Sequence, residues 1–168
     1  MVEQDCLASM DGLIWLRTGH QVAAKFNHHQ TTVSRNSRKC AKAFGISLER
    51  VHSEWQVIGD RRLLNLERRV HQHMRFKSGN SLRLDAQHWS GSLLGPPPPS
   101  GWILGNLNFQ EYQRPLQLMQ ERIIDAWITS YPDGSPPIPM RLAMIQILPR
   151  FGSARCPCSW SFMPATPY

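Results

Sequence analysis

Apolar residues recur at helical spacing through the first 44 residues and predict three helices. The first spans residues 3–17, and its core face consists of Leu7, Met10, Leu13 and Ile14. The second begins at Thr18, whose hydroxyl can accept an N–H bond in a capping box that Gln21 completes. The third spans Gln30–Phe44 and stops at Gly45, because glycine readily adopts the left-handed conformation of a helix C-cap.

The apolar pattern changes after Gly45. Residues 46–58 alternate enough to predict a short β-hairpin, or wing, and a fourth helix follows Gly59 with Asp60 as its candidate N-cap. Apolar positions along this helix recur at alternating spacings of three and four, which is typical of a seam between two helices. The seam consists of Leu63, Leu66, Val70 and Met74. We expect it to form a homodimer; the alternative is that this face packs within the monomer.

The second half of the chain has a different character. Residues 77–80 have the composition of a flexible junction, and the following pattern predicts strands over 81–86, 102–109 and 123–128 and a helix over 114–122. No steady period continues beyond about residue 134. The expected fold is therefore mainly α within an α+β class. Its predicted regions are a helix-turn-helix domain with a wing (1–58), a linker and dimerisation helix (59–79), and an incomplete α/β region (80–168).

Composition supports this division. None of the 13 prolines precedes Pro96, so the first half can be largely helical. Residues 1–80 hold 13 basic against 7 acidic residues, a net charge of +6, whereas residues 81–168 have a net charge of +1. A basic excess confined to the helical half is expected for a surface that binds a polyanion. The sequence has no run of 18 apolar residues and no secretory signal, so we expect no membrane span and a cytoplasmic location.

Candidate metal and catalytic sites are weak. Cys6 and Cys40 fall on predicted helices among apolar residues, where a reduced, buried thiol is expected. The other candidate ligands have spacings unsuited to chelation: His28 with His29, His71 with His73, and Cys156 with Cys158. Asp85 and His88 are close in sequence, but no recognisable motif places a nucleophile beside them. We expect no enzyme activity, no metal and no cofactor.

The predicted third helix has the residues that a DNA major groove requires. The amide of Gln30 can bond both ways to an adenine edge, and Arg35 or Arg38 can read guanine. Short polar residues near its start, Thr31, Thr32 and Ser34, can reach phosphates or a thymine methyl group. Further along, Lys39 and Lys42 are expected to meet phosphates only. The alternative is that these cations form an ordinary solvated helix face.

Together these segments resemble the N-terminal domain of LysR-type transcriptional regulators. Thr18 stands at the family's capping position, residues 30–35 (QTTVSR) match the start of its recognition helix, and residues 44–48 (FGISL) match its end. Gly59 matches the glycine before the family's dimerising linker helix. The resemblance covers about residues 3–77 and adds Thr18 to the expected DNA-binding set. One departure is His29, which stands where the family usually has a capping serine.

A weaker resemblance continues through residues 115–128, which look like the first helix and strand of the family's effector-binding domain. That domain normally has two α/β lobes, and too few residues remain here to build both. The resemblance therefore implies a truncated regulator that binds double-stranded DNA as a homodimer. Full-length relatives would bind a small effector, which we do not expect here. The alternative function is a protein-interaction fragment that pairs with full-length relatives through its 60–77 helix and has little DNA affinity of its own.

Overall fold

A computed structural model describes residues 2–90, 94, 97–107 and 113–128 of the 168-residue chain. The elements follow in the order α1 (Gln4–Leu16), α2 (Gly19–Phe26), α3 (Gln30–Phe44), β1 (Ser47–Val51), β2 (Glu54–Ile58), α4 (Arg62–Ser78), β3 (Leu82–Ala86), β4 (Trp102–Leu104), α5 (Gln113–Gln120) and β5 (Ala126–Ile128). A short 3-10 helix, His88–Ser90, follows β3. The predicted fold class, mainly α within an α+β fold, is confirmed. Predictions for residues 129–168, including Cys156 and Cys158, lie outside the described residues.

Helix α1 lies at the centre of the N-terminal half. All four residues of its predicted core face are buried. Most of its other residues are buried as well, and only residues of its first turn are exposed. Gly12 allows α2 to approach closely, because a β-carbon there would lie only 2.9 Å from Cγ1 of Val22.

Helices α2 and α3 begin and end where the sequence predicts. The hydroxyl of Thr18 accepts the Gln21 N–H at 3.3 Å and donates to Gln21 Oε1 at 3.0 Å. The predicted N-cap is therefore present. The Gln21 side chain, however, bonds to the Thr18 hydroxyl and not, as a capping box would require, to the Thr18 backbone N–H. At the end of α3, Gly45 adopts φ +64°, and its N–H bonds back to the carbonyls of the last turn. This is the left-handed C-cap expected from the sequence.

Strands β1 and β2 form the predicted hairpin. They pair antiparallel with Leu48 opposite Val57, and Val57 is buried against the helices. His52 and Ser53 connect the strands, with φ values of +49° and +69°. Positive φ at both central residues is the geometry of a two-residue turn that matches strand twist. The hairpin follows α3 directly, at the position where the sequence predicts a wing, and we refer to it as the wing.

Helix α4 begins slightly later than predicted. Its N-cap is Arg61, while Asp60 uses Oδ1 to accept the N–H of Arg62 at 3.0 Å. The helix ends at Gly79, which has φ +67°. Arg68 lies off the apolar seam, and its side chain is fully buried. Nothing in the local sequence distinguishes this arginine from its surface neighbours.

Strand β3 is the centre of a parallel three-stranded sheet in the order β4-β3-β5. All five of its residues are buried. The flanking strands are shorter than predicted. After Leu104, the N–H of Gly105 still bonds to Leu84 O at 2.8 Å, but the strand has ended. Residues 108–109 of the predicted strand lie outside the described residues.

The start of β5 was predicted three residues too early. Ile123 and Ile124 both donate backbone N–H groups to Leu118 O, at 2.8 and 3.4 Å, so they close the end of α5. Both are fully buried and belong to the same hydrophobic cluster as the α1 core. Their apolar character therefore reflects burial in a turn, which sequence alone does not separate from burial in a strand.

The two described cysteines are free and buried, as expected. Burial raises the pKa of the Cys40 thiol to about 12, and it also raises the pKa of Cys6. Both thiols are therefore protonated at neutral pH, and both side chains pack as small apolar groups in the hydrophobic core.

Asp85 is a buried carboxyl on the central strand β3. It faces the indole of Trp15 near Gly105, and burial raises its pKa from 3.8 to about 6. The indole and the guanidinium of Arg114 offset this effect only in part. Because the folded-state pKa is raised, the folded protein binds more protons than the unfolded chain between about pH 4 and pH 6. Asp85 therefore destabilises the fold increasingly as the pH rises through this window.

We expect Asp85→Asn to stabilise the protein more at pH 7 than at pH 4.5, because the amide never becomes charged. The gain should grow by about 1–2 kcal/mol between these two values. Urea unfolding at both values measures it, with the exposed carboxylate variant Glu49→Gln as the control. A gain that is the same at both pH values would contradict this role of Asp85.

Candidate nucleic-acid interface

Helices α2 and α3 are joined by the tight turn 27–29. Asn27 has the left-handed φ of +54° at the end of α2, and the N–H of His28 bonds to Ala23 O at 2.9 Å. The chain therefore reverses within three residues. This holds α3 at a fixed angle to α2, which is the requirement for a helix that is to enter a groove.

The N-termini of α2 and α3 lie side by side. A β-carbon at Gly19, the first residue of α2, would lie 3.5 Å from Cγ of Gln30, the first residue of α3. Thr18 and Gln30 are thus brought together in one polar tip, and both are exposed. Two helix N-termini place their unpaired N–H groups and partial positive charge at this tip, which favours an anionic ligand.

His29 replaces the serine cap expected at the start of α3. Its Nδ1 accepts the N–H of Thr31 at 3.4 Å and lies 2.8 Å from the Thr31 hydroxyl oxygen. The imidazole therefore takes over the capping role, through a long bond to the backbone. The start of α3 is stabilised by a local contact that the residue type alone did not indicate.

Helix α3 has one buried and one exposed face. The buried face consists of Val33, Ser37, Cys40 and Ala41. Among these, the Ser37 hydroxyl donates to Val33 O at 2.8 Å, so its burial leaves no unpaired polar group. The exposed face consists of Gln30, Thr31, Ser34, Arg35, Arg38, Lys39 and Lys42. Thr32 is half-buried at the border. The residues selected from the sequence therefore share one side of the helix.

The cations of α3 differ in their partners. Lys39 Nζ pairs with Glu3 Oε2 at 2.9 Å, and this contact raises the pKa of Lys39 and lowers the pKa of Glu3. Within the part of the chain that the structure describes, Arg35, Arg38 and Lys42 form no ion pair. These three side chains point into solvent with their charges uncompensated. Glu3 therefore competes with any anionic ligand for Lys39.

The wing carries further exposed polar residues that sequence reasoning did not select. Arg50 lies on β1, and His52 and Ser53 form the exposed turn. The prediction of the hairpin could have identified them, because the tip of a wing is set by its turn. They extend the polar surface beyond α3.

Helix α4 presents the predicted seam to solvent. The exposed fractions are 67% for Leu63, 59% for Leu66, 44% for Val70 and 48% for Met74. The opposite face of α4 is buried, with Leu64, Arg68, His71 and Arg75 directed at α1 and the sheet region. The apolar face is therefore not covered within the monomer among the described residues.

Other chemical sites are not favoured by the geometry. Across the described ranges, no cluster of three histidine, cysteine or carboxylate side chains is arranged to hold a metal. A cavity of about 120 Å³ lies between the wing, α4 and α5, and its charged lining consists of Glu54, Arg61, Arg114 and Glu121. These charges already pair with one another, Arg114 with Glu54 and Arg61 with Glu121. None of the described helices is both long and apolar enough to cross a membrane.

Several solved structures of transcriptional regulators are similar to this chain. A full-length OxyR variant from Pseudomonas aeruginosa shares 15% identity over 79% of the chain, with a TM-score of 0.45. A probable transcriptional regulator from the same species shares 14% identity over 73%, with a TM-score of 0.39. CrgA, a LysR-type transcriptional regulator from Neisseria meningitidis, shares 14% identity over 75%, with a TM-score of 0.34.

The chain spans about half the length of these proteins, covering 51%, 48% and 48% of them. They include a member of the family that the sequence resembles. No protein-family model matches the sequence, and no curated protein does.

The capping role of His29 can be tested by substitution. We expect His29→Ala to lower the free energy of unfolding by about 0.5–2 kcal/mol, because the N–H of Thr31 loses its acceptor. His29→Ser should retain stability, since serine restores an acceptor at the same position. Urea unfolding followed by helical circular dichroism measures both. Equal stability of the alanine and serine variants would show that the imidazole does not cap α3.

Proposed function

We propose that this protein is a sequence-specific DNA-binding transcriptional regulator of the LysR type. In this proposal, α3 enters the major groove with its polar tip towards base edges. Gln30 and Arg35 or Arg38 read bases, while Thr18, Thr31, Thr32 and Ser34 position the helix on the backbone. The observation that carries the proposal is the exposed, uncompensated row of Arg35, Arg38 and Lys42 beside that tip.

The arrangement of charge favours DNA over a general solvated face. Arg35, Arg38 and Lys42 have no carboxylate partner among the described residues, although Glu3, the N-cap residue of α1, pairs with Lys39 nearby. Phosphates would supply the missing partners, and release of their counterions would favour binding. The cytoplasmic location expected from the sequence agrees with this role.

We further propose that two copies pair through the exposed seam of α4. Four large apolar side chains, each between 44% and 67% exposed, are costly to leave in water along one helix. Pairing α4 with its symmetry mate would bury them at coiled-coil spacing. Two recognition helices separated by about 34 Å could then enter successive major grooves on one side of the duplex.

The domain organisation stays a proposal: DNA-binding residues 1–58, linker residues 59–79 and an effector-like region 80–168. Pairing with a longer relative is the second candidate function, and the same exposed seam of α4 favours it. A gel-shift titration with and without a full-length LysR-type protein separates the two. Self-sufficient binding supports the regulator, whereas binding only in mixed dimers supports the interaction fragment.

Substitutions in α3 should separate base reading from phosphate contact. We expect Arg35→Ala to weaken binding to a selected sequence about 10-fold or more, while random DNA loses much less, because a base contact contributes only at the correct site. Lys42→Ala should weaken binding to the selected and the random DNA alike. It should also reduce the slope of log affinity against log salt concentration by about one, the value expected for one phosphate contact. Selection from random duplex DNA, followed by fluorescence anisotropy, provides these measurements.

The contrary results are distinct for the two variants. Equal losses on selected and random DNA would remove Arg35 from the base-reading set. An unchanged salt dependence would remove Lys42 from the phosphate contacts. Lys77→Ala is a suitable control, because this exposed cation lies in the last turn of α4 and outside α3.

The seam can be tested at Leu66, whose exposure means that a polar residue costs the monomer little. We expect Leu66→Glu to convert a dimer into a monomer in sedimentation velocity and to weaken binding to paired half-sites. Asn65→Glu, at an exposed polar position on the same helix, should leave the dimer intact. A monomeric wild-type protein, or a dimer that survives Leu66→Glu, would contradict pairing through α4.

A further inference from the structure

Charged side chains connect the sheet region to the N-terminal half of the chain. We define the lobe as the described part of residues 82–128, which contains β3, β4, α5 and β5. Its side chains Arg114, Glu121 and Asp125 each pair with a group on α1, α4 or the wing. These contacts join residues that are 50 to 100 positions apart in sequence.

Asp125 holds the C-terminal half of α4. Arg75 donates to both carboxylate oxygens, from Nε to Oδ2 at 2.8 Å and from Nη2 to Oδ1 at 2.7 Å. Asp125 also accepts the N–H of Arg83 at 2.9 Å and the amide of Gln72 at 3.2 Å. Both members of the Arg75–Asp125 pair are buried. A buried two-point contact of this kind restricts rotation as well as separation.

Arg68 holds the middle of α4 from two sides. Its Nε donates to Asp11 Oδ1 on α1 at 2.9 Å, and its Nη1 donates to Glu121 Oε2 at 3.0 Å. Burial disfavours the charge, yet Asp11 and Glu121 together raise the pKa of Arg68. The guanidinium is fully buried, so the helix cannot rotate without separating a charge from its partner.

Arg114 connects the lobe to the wing and to α1. Its Nη2 donates to Ile14 O at 2.6 Å, among the last carbonyls of α1, where a cation is favoured by the helix dipole. Its Nη1 pairs with Glu54, the first residue of β2, which also accepts from Arg17 Nη2 at 2.8 Å. The wing is thus tied to the lobe next to its turn, at the first residue of β2.

We propose that the lobe is a brace that fixes the direction of α4 and the wing relative to α3, with Asp125 and Glu121 as positioning residues for the separation of the two recognition helices. This inference rests on the proposed DNA-binding function. Apolar contacts alone would allow α4 to rotate or slide, whereas buried ion pairs accept one arrangement. The face of α4 opposite the seam is the face that the lobe holds, so the lobe determines how the seam of one copy meets the other.

Half-site spacing tests this positioning role. Duplexes carrying two selected half-sites at spacings that differ by two base pairs are compared by anisotropy for the wild type, Asp125→Asn and Glu121→Gln. We expect the wild type to prefer one spacing by about 10-fold. The two variants should reduce that preference to less than about 3-fold while keeping the affinity for a single half-site. Asp60→Asn is the matched control, because its carboxylate pairs with Arg62 on its own helix.

Each outcome decides the matter. A retained spacing preference in a folded Asp125→Asn or Glu121→Gln variant would overturn the brace. Loss of single half-site affinity together with spacing preference, in a variant that stays folded, would make the residue a determinant of DNA affinity and not of spacing, and would also overturn the brace. Glu121→Gln guards against failure of Asp125→Asn to fold, because Glu121 is partly exposed and bonds less tightly.

A second readout does not require DNA. Amide hydrogen exchange in α4 should be at least about 10-fold faster in Asp125→Asn than in the wild type, while exchange in α3 stays the same. If the wild-type protein binds no selected DNA, the proposed function fails, and this measurement still judges the brace. Unchanged exchange in α4 would overturn the brace while leaving the DNA-binding proposal standing.

Discussion

The structure depends most on one buried cation, Arg68, which lies between Asp11 on α1 and Glu121 after α5. A charge this deeply buried is tolerated only with partners in place, so the three segments must assemble together. Arg75 forms a similar buried pair with Asp125 two helical turns further along α4. The inner face of α4 is therefore specified by charge, whereas most of the surrounding core is specified by apolar packing.

This division gives α4 two faces with opposite roles. Apolar residues face solvent at the seam, and charged residues face the interior of the monomer. A single chain that simply minimised its exposed apolar surface would place them the other way round. The inversion supports the proposed pairing of α4 with a second copy, in which the ionic contacts would fix the angle between the two copies.

Local signals predicted the N-terminal half well. The bounds of α3, the Thr18 cap, the Gly45 end and the hairpin all follow from contacts within a few residues, and the structure contains them. The exposed face of α3 follows from the same periodicity. The lobe was less predictable. Ile123 and Ile124 are apolar because they are buried in a turn, but from the sequence they look like the start of a strand. The cap that His29 provides depends on how its ring turns, which residue type does not reveal.

The long-range ion pairs could not be predicted, and the reason is physical. Asp11, Arg68, Arg75 and Asp125 are ordinary charged residues in sequence, and each becomes distinctive only when the fold removes it from water. Such pairs contribute little net stability compared with apolar residues of equal volume, but a misaligned pair is costly. Their effect is to destabilise helix orientations in which these ion pairs would be misaligned. In the proposed dimer, which would hold two recognition helices at one separation, excluding a rotated α4 would matter more than the stability of the interface.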